Sequence, residues 1–207
     1  MTPTILVAGL GRCGTSLVMQ MLAAGGVETV GTYPDFEHTG EPELRADADA
    51  WHALTDGKAV KVLNPHLDAI PPGGNYRTIL LTRDVKQQAK SMAKLAAFAL
   101  GAPAMPSRAD RRALETKLRA ESSMMGRAIF LLGRGTHFIL PFEDIIDDPS
   151  GAARDIATFV AIGRPDPLNV DAMAACVRPR SPDCLPTLLE LDLLEDDQPQ
   201  HLLQGTS

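Results

Sequence analysis

Hydrophobic positions along the chain fall into two periods. Short continuous apolar runs occur at Thr4–Ala8 (TILVA), Ala59–Leu63 (AVKVL), Thr78–Thr82 (TILLT) and Thr136–Leu140 (THFIL). Each reads as a strand, and the first, Thr4–Ala8, has the continuous apolar character of a strand buried on both faces of a parallel sheet. Between them the period lengthens to that of a helix. Residues 15–24 (TSLVMQMLAA) predict a buried helix stopped by Gly25-Gly26. A second helical stretch runs from Asp84 to about Leu100. A Gly/Pro-rich break over Gly101–Pro106 then leads into Ser107–Leu132, a long helix with an apolar stripe and mixed charges toward solvent. Gly151–Val160 predicts a further helix. Residues 31–57 are acidic and turn-rich, with one short helix expected around Trp51, and Pro71–Gly74 reads as a loop. Beyond Pro165 the chain is acidic and proline-rich, and from about Glu195 it is expected to fray. Strands alternating with helices predict an α/β fold, three-layer α/β/α with a mostly parallel central sheet, as one domain over residues 1–207.

Composition narrows the function classes. Of 207 residues 44% are hydrophobic and 22% charged, enough apolar material for a core and too much for a disordered chain. A net charge of −6 argues against broad binding to nucleic acid or anionic membranes, so any anionic ligand is held by a few placed cations and backbone amides. Three cysteines, Cys13, Cys176 and Cys184, sit at no zinc-like spacing and suggest neither a disulfide framework nor a structural metal. No apolar run approaches the roughly 20 residues that cross a bilayer. The chain enters its first strand without the basic start of a signal peptide, and a soluble cytoplasmic protein is the expectation.

The candidate chemistry begins after the first strand. Gly9-Leu-Gly-Arg-Cys-Gly14-Thr15-Ser16 closes a strand and opens a helix, the context in which free amides and the positive helix end attract an anion. A tight turn with no ligand is the plain alternative. Three ligand readings compete. As G-x-G-x-x-G the loop fits a dinucleotide fingerprint, with Glu28 near the position of the ribose-binding acid. Little downstream supports an NAD(P)-dependent oxidoreductase. As G-x-x-x-x-G-K-[ST] it fits a P-loop, but Thr15 stands where the phosphate-binding lysine belongs, and no strand-terminal acid for Mg²⁺ is evident. That weakens an ATP-dependent kinase. The third reading takes Arg12 as a cation inside the loop, with Thr15 and Ser16 as hydroxyl donors for a single phosphate carrying a sulfuryl group.

On these residues the chain resembles the sulfotransferases that use 3′-phosphoadenosine 5′-phosphosulfate (PAPS), and in particular their compact bacterial members. Their [RK]-S-G-T-[ST] motif is similar to Arg12-Cys13-Gly14-Thr15-Ser16, with Cys13 at a position that contributes its backbone amide. A second match is Arg83 with Ser91 eight residues on. Asp84 is placed to cap the helix, and two turns carry Ser91 to the same face, so the arginine and serine can clamp one phosphate. The resemblance assigns that pair to the 3′-phosphate. Lys61, mid-strand where an unpaired lysine is costly, is similar to the family's lysine beside the transferred group; otherwise it snorkels to an edge. Phe142–Pro149 (FEDIIDDP) looks like the family's YEDLLxDP segment and reads as structural.

The resemblance spans residues 4–163 and implies a P-loop NTPase-like fold and a sulfotransferase with PAPS as co-substrate and PAP as product. It also implies a small-molecule or carbohydrate acceptor offering a hydroxyl or amine, and with neither a strand-terminal acid for Mg²⁺ nor a His/Cys cluster in the sequence no metal is expected. Donor contacts fall on Arg12, Cys13, Gly14, Thr15, Ser16, Arg83 and Ser91, with Arg178 and Arg180 as a basic C-terminal extension. Arg12 and Lys61 would stabilise charge in the transfer. The general base stays open: Leu63 stands where the familiar cytosolic enzymes have histidine, and the resemblance to bacterial members, many of which carry a carboxylate after an aromatic residue there, puts Glu37 ahead of His66, His38 and Glu41. A catalytically silent nucleotide-binding protein remains a further alternative.

Overall fold

The four apolar runs pair side by side, the first three largely buried in the sheet and the fourth an edge strand that leaves Ile139 exposed. A computed structural model of the chain describes residues 2–37, 45–67, 69–99, 107–132, 136–164 and 166–178. The strands are β1 (Thr4–Gly9), β2 (Ala59–Leu63), β3 (Tyr76–Thr82) and β4 (Thr136–Pro141). They form one parallel sheet in the order β2-β1-β3-β4. Every residue of β1 is buried, as a central parallel strand requires. Helices α1 (Thr15–Ala24), α2 (Ala48–Thr55), α3 (Val85–Ala99), α4 (Arg108–Leu131), α5 (Phe142–Asp147), α6 (Pro149–Val160) and α7 (Val170–Ala175) follow in chain order.

Alternation along the strands divides the core in two. Ile5, Val7, Ala59, Ile79 and Leu81 pack against α1, α6 and α7. Leu6, Ala8, Val60, Val62 and Leu80 pack with Trp51 of α2, Ala89 of α3, and Leu118, Met125 and Ile129 of α4. The result is the expected three-layer α/β/α architecture. Since β2 and β3 leave β1 on opposite sides, the chain reverses direction across the sheet between β1 and β3. In such sheets a ligand crevice opens at that reversal, beyond the carboxyl ends of the strands.

The predicted bounds hold to within two residues, with local reasons for each difference. Ser107 is the N-cap of α4, in a capping box with Asp110. Asp84 accepts from the amides of Lys86 and Gln87 and so caps α3, as its position predicts. Ahead of α6, Asp148 bonds the Gly151 amide with Pro149 inside the first turn, so this helix begins earlier than Gly151. Two short helices escape the sequence reading. One is α5, within the FEDIIDDP segment. The other is α7, started by Asn169 and held by Met173, which is fully buried against Gly25. The amino-terminal edge of the sheet is braced separately. Trp51 Nε1 donates to Tyr76 Oη at 3.1 Å, and Tyr76 donates to the Pro71 carbonyl at 2.8 Å. Arg77 donates to the Phe159 carbonyl at 2.9 Å and lies 4.3 Å over the Phe159 ring.

Candidate functional site

The loop after β1 is shaped by its neighbours as much as by its glycines. Gly14 has φ +99°, and a Cβ there would run into the ring of Phe142, the first residue of α5. Arg12 also adopts a left-handed conformation, with φ +66°, uncommon for a residue with a side chain. Its carbonyl accepts from Arg83 Nη1 at 2.7 Å, and its Nε donates to Ser91 Oγ at 3.2 Å. Gln88, buried on α3 between these two contacts, donates to the Gly11 carbonyl at 2.7 Å. Three groups from the β3–α3 unit thus fix the loop. The Arg83 guanidinium lies 4.5 Å over Phe142, and Glu143 accepts from the Asp84 amide at 3.3 Å, so the FEDIIDDP segment braces the site as its structural reading expects.

Helix α1 starts without a side-chain cap, and the positive end of a helix favours an anion. Cys13 is enclosed beneath the loop, and burial pushes its thiol up to about 12. Its thiol therefore keeps its proton at neutral pH. Burial also lowers the pKa of Arg12, whose cation is partly stripped of water.

Lys61 does not snorkel. It is buried on β2, and its Nζ donates to Ser16 Oγ at 3.1 Å, to the Asp35 carbonyl at 2.8 Å and to Glu37 Oε1 at 2.8 Å. A mid-strand ammonium is tolerable because each donated proton has a partner. The segment that carries Glu37 is pinned over α1. Phe36 is buried in the α1-side core, Gln20 Nε2 bonds the Pro34 carbonyl at 2.9 Å, and the Glu37 amide bonds Asp35 Oδ1 at 3.0 Å. The Glu37 carboxylate itself remains 59% exposed, open to an approaching molecule.

His66 lies on the turn after β2, where the Asn64 amide bonds the Gly9 carbonyl at 3.0 Å. Both of its ring nitrogens are enclosed without a hydrogen-bond partner, and no bond links them to Lys61 or Glu37. Arg178 is exposed just beyond α7, with no contact to residues 12–16 among the described bonds. Arg180, His38, Glu41 and Cys184 lie outside the described residues. Arg83 also borders a cavity of about 200 Å³ between the loop, the end of β3, α3 and α4, lined in part by Cys13, Gln88, Leu118 and Ser122. The sequence reading missed Gln88, Asp35 and Phe142 as site-shaping residues. Only Gln88 left a signal, four residues after Asp84 and three before Ser91 on one helix face.

Two rival ligand readings lose support from the same geometry. Glu28 does not sit at the loop. Its carbonyl accepts from the Ala59 amide at the start of β2, and its carboxylate pairs with Lys58 at 2.9 Å. The rise along β2 puts it roughly 13 Å from the carboxyl end of that strand, where a ribose-binding acid belongs. The hydroxyl that a P-loop offers to Mg²⁺, here Ser16, is engaged by Lys61.

No protein-family model matches the chain, and no curated protein does. Among solved structures it is similar to a sulfotransferase from Alicyclobacillus acidocaldarius, with a TM-score of 0.51 and 18% identity over 95% of this chain and 91% of that one. At that identity the likeness is one of fold, a four-stranded parallel sheet flanked by helices.

Proposed function

We propose that this chain is a sulfotransferase that moves a sulfuryl group from PAPS to a hydroxyl or amine of a small-molecule or carbohydrate acceptor. The observation that carries the reading is the hydrogen bond from Lys61 to Ser16. The loop lacks the lysine of an ATP-binding P-loop because Thr15 occupies its place, yet β2 delivers an ammonium to the same helix end. A cation there suits one phosphate bearing a transferable group, where no triphosphate has to be neutralised.

Each residue then has a task that its position supports. The amides opening α1, with Thr15 and Ser16, hold the 5′-phosphate, and Arg12 and Lys61 balance charge on the leaving oxygen and the sulfuryl oxygens. Arg83 and Ser91, which meet at Arg12, take the 3′-phosphate. PAPS supplies the sulfuryl group. Glu37 takes the acceptor proton, being the exposed carboxylate that reaches Lys61.

Binding of PAP and ADP, measured calorimetrically on the purified chain, tests the reading. PAP is expected to bind at least tenfold more tightly than ADP, because only PAP engages the Arg83 and Ser91 pair. Equal affinity, or binding of ATP with Mg²⁺ but not PAP, overturns it. Transfer of label from ³⁵S-PAPS to an acceptor panel then distinguishes an enzyme from a silent nucleotide-binding protein.

A further inference from the structure

Charge is spread unevenly along the chain. Residues 83–127 hold ten of its twenty Lys and Arg residues but four of its twenty-six Asp and Glu, in a chain whose net charge is −6. The fold gathers five of these cations. Lys86 and Lys90, one turn apart on α3, face Arg108, Arg111 and Arg112 of the first turns of α4 across a groove of about 290 Å³. Nearby acids are committed elsewhere. Glu115, which lines the groove, sits 3.5 Å from Arg119 on its own helix. Asp110 is held in the capping box by Ser107, and Asp84 by the first amides of α3. Among the described residues none of the five groove cations has an ion-pair partner. Like charges at helical spacing repel, so the groove carries an electrostatic cost that an anion would relieve.

The lining also restricts what that anion is. No aromatic side chain is among the residues lining the groove, so neither a nucleobase nor a neutral sugar face has a surface on which to stack. A nucleic-acid duplex needs a broad basic surface, and this one is bounded by an acidic molecule. Cations on two facing helices suit charges repeated along a flexible chain, and arginine forks match carboxylate and sulfate bidentately.

We propose that this groove binds a carboxylate- or sulfate-bearing oligosaccharide. It lies along α3, whose adjacent face holds the phosphate-binding loop through Gln88 and Ser91. Such a ligand is the acceptor class for the transfer site, a role that rests on the sulfotransferase reading; its binding does not.

The test is calorimetric titration of the full chain, without donor, at 50 and 200 mM NaCl. The probes are an oligogalacturonate, a sulfated dextran oligosaccharide, neutral dextran of the same length and oligo(dT). Both anionic sugars are expected to bind more weakly at the higher salt, and neutral dextran not at all. Arg111→Glu combined with Arg112→Glu is expected to weaken anionic-sugar binding at least tenfold while leaving PAP affinity within twofold. New carboxylates near the start of α4 also suit its dipole. Arg111→Gln alone gives a loss of about twofold to fivefold, the value of an exposed charge pair, if the double variant fails to fold. Absence of binding by both anionic sugars, equal binding of neutral dextran, tighter binding of oligo(dT) through the same arginines, or unchanged affinity in the variants overturns the proposal. Loss of PAP binding by the unaltered chain would sink the donor reading alone and leave the groove result standing.

Discussion

At the scale of single residues, Cys13 and Lys61 show how burial sets chemistry. The enclosed Cys13 thiol keeps its proton up to about pH 12, whereas the unfolded chain releases it near the ordinary value of 9.0. Above pH 9 the unfolded state therefore binds fewer protons, and stability falls as pH rises toward 12, by up to about 1.4 kcal/mol per pH unit. Cys13→Ser removes that slope. Urea midpoints of the two proteins at pH 8 and pH 10 are expected to diverge at the higher pH; parallel changes would place the alkaline sensitivity elsewhere. Lys61 is buried but fully partnered, and on the proposed reading its charge matters most during transfer. Lys61→Met is expected to cut turnover at least a hundredfold, with a much smaller loss of PAP affinity. Glu37→Gln keeps the hydrogen bond to Lys61 but cannot accept a proton, so turnover falls and PAP affinity stays. Full turnover in Glu37→Gln would move the base to His66 or to the segment beyond Glu37.

At the scale of elements, the β3–α3 unit does two jobs. Its amino-terminal end ties the sheet to α6 through Arg77 and Phe159, and its carboxyl end holds the loop through Arg83, Gln88 and Ser91. The two ends are separable by mutation. Arg77→Ala removes a charge-assisted bond and a ring contact, which is expected to cost about 1.5–3 kcal/mol of stability in urea titrations. PAP affinity of the folded protein should not change. Arg83→Ala and Ser91→Ala instead weaken PAP binding, by about tenfold to a hundredfold for Arg83 and less for Ser91. Adenosine 5′-phosphosulfate, lacking the 3′-phosphate, measures how much of that loss comes from the loop. If both nucleotides weaken equally, Arg83 serves only to hold the Arg12 carbonyl.

For the molecule as a whole, the order of strands and helices was legible because each strand is a continuous apolar run and each long helix has a cap or a glycine stop. The glycine loop and Arg83 were legible as candidates because strand ends mark the ligand edge of a parallel sheet, Ser91 by its spacing from Arg83 along a helix face, and Lys61 by the cost of a charge in mid-strand. Their partners were not. Lys61 is satisfied by a hydroxyl on α1 and by two groups of the segment over it, and packing alone brings those together. Helix α7 is six residues in a proline-rich stretch, and the burial of Met173 against Gly25 stabilises it without a periodic pattern to announce it. The basic groove was hidden by a net charge that averages over the chain. The ion pair between Glu37 and Lys61 has a kinetic consequence. On the proposed reading, a donor anion that draws Lys61 away from Glu37 frees both carboxylate oxygens for the acceptor. Substrates should therefore add in a fixed order, with PAP competing against PAPS and acting noncompetitively against the acceptor, and an acceptor arriving first would meet a carboxylate still paired with Lys61.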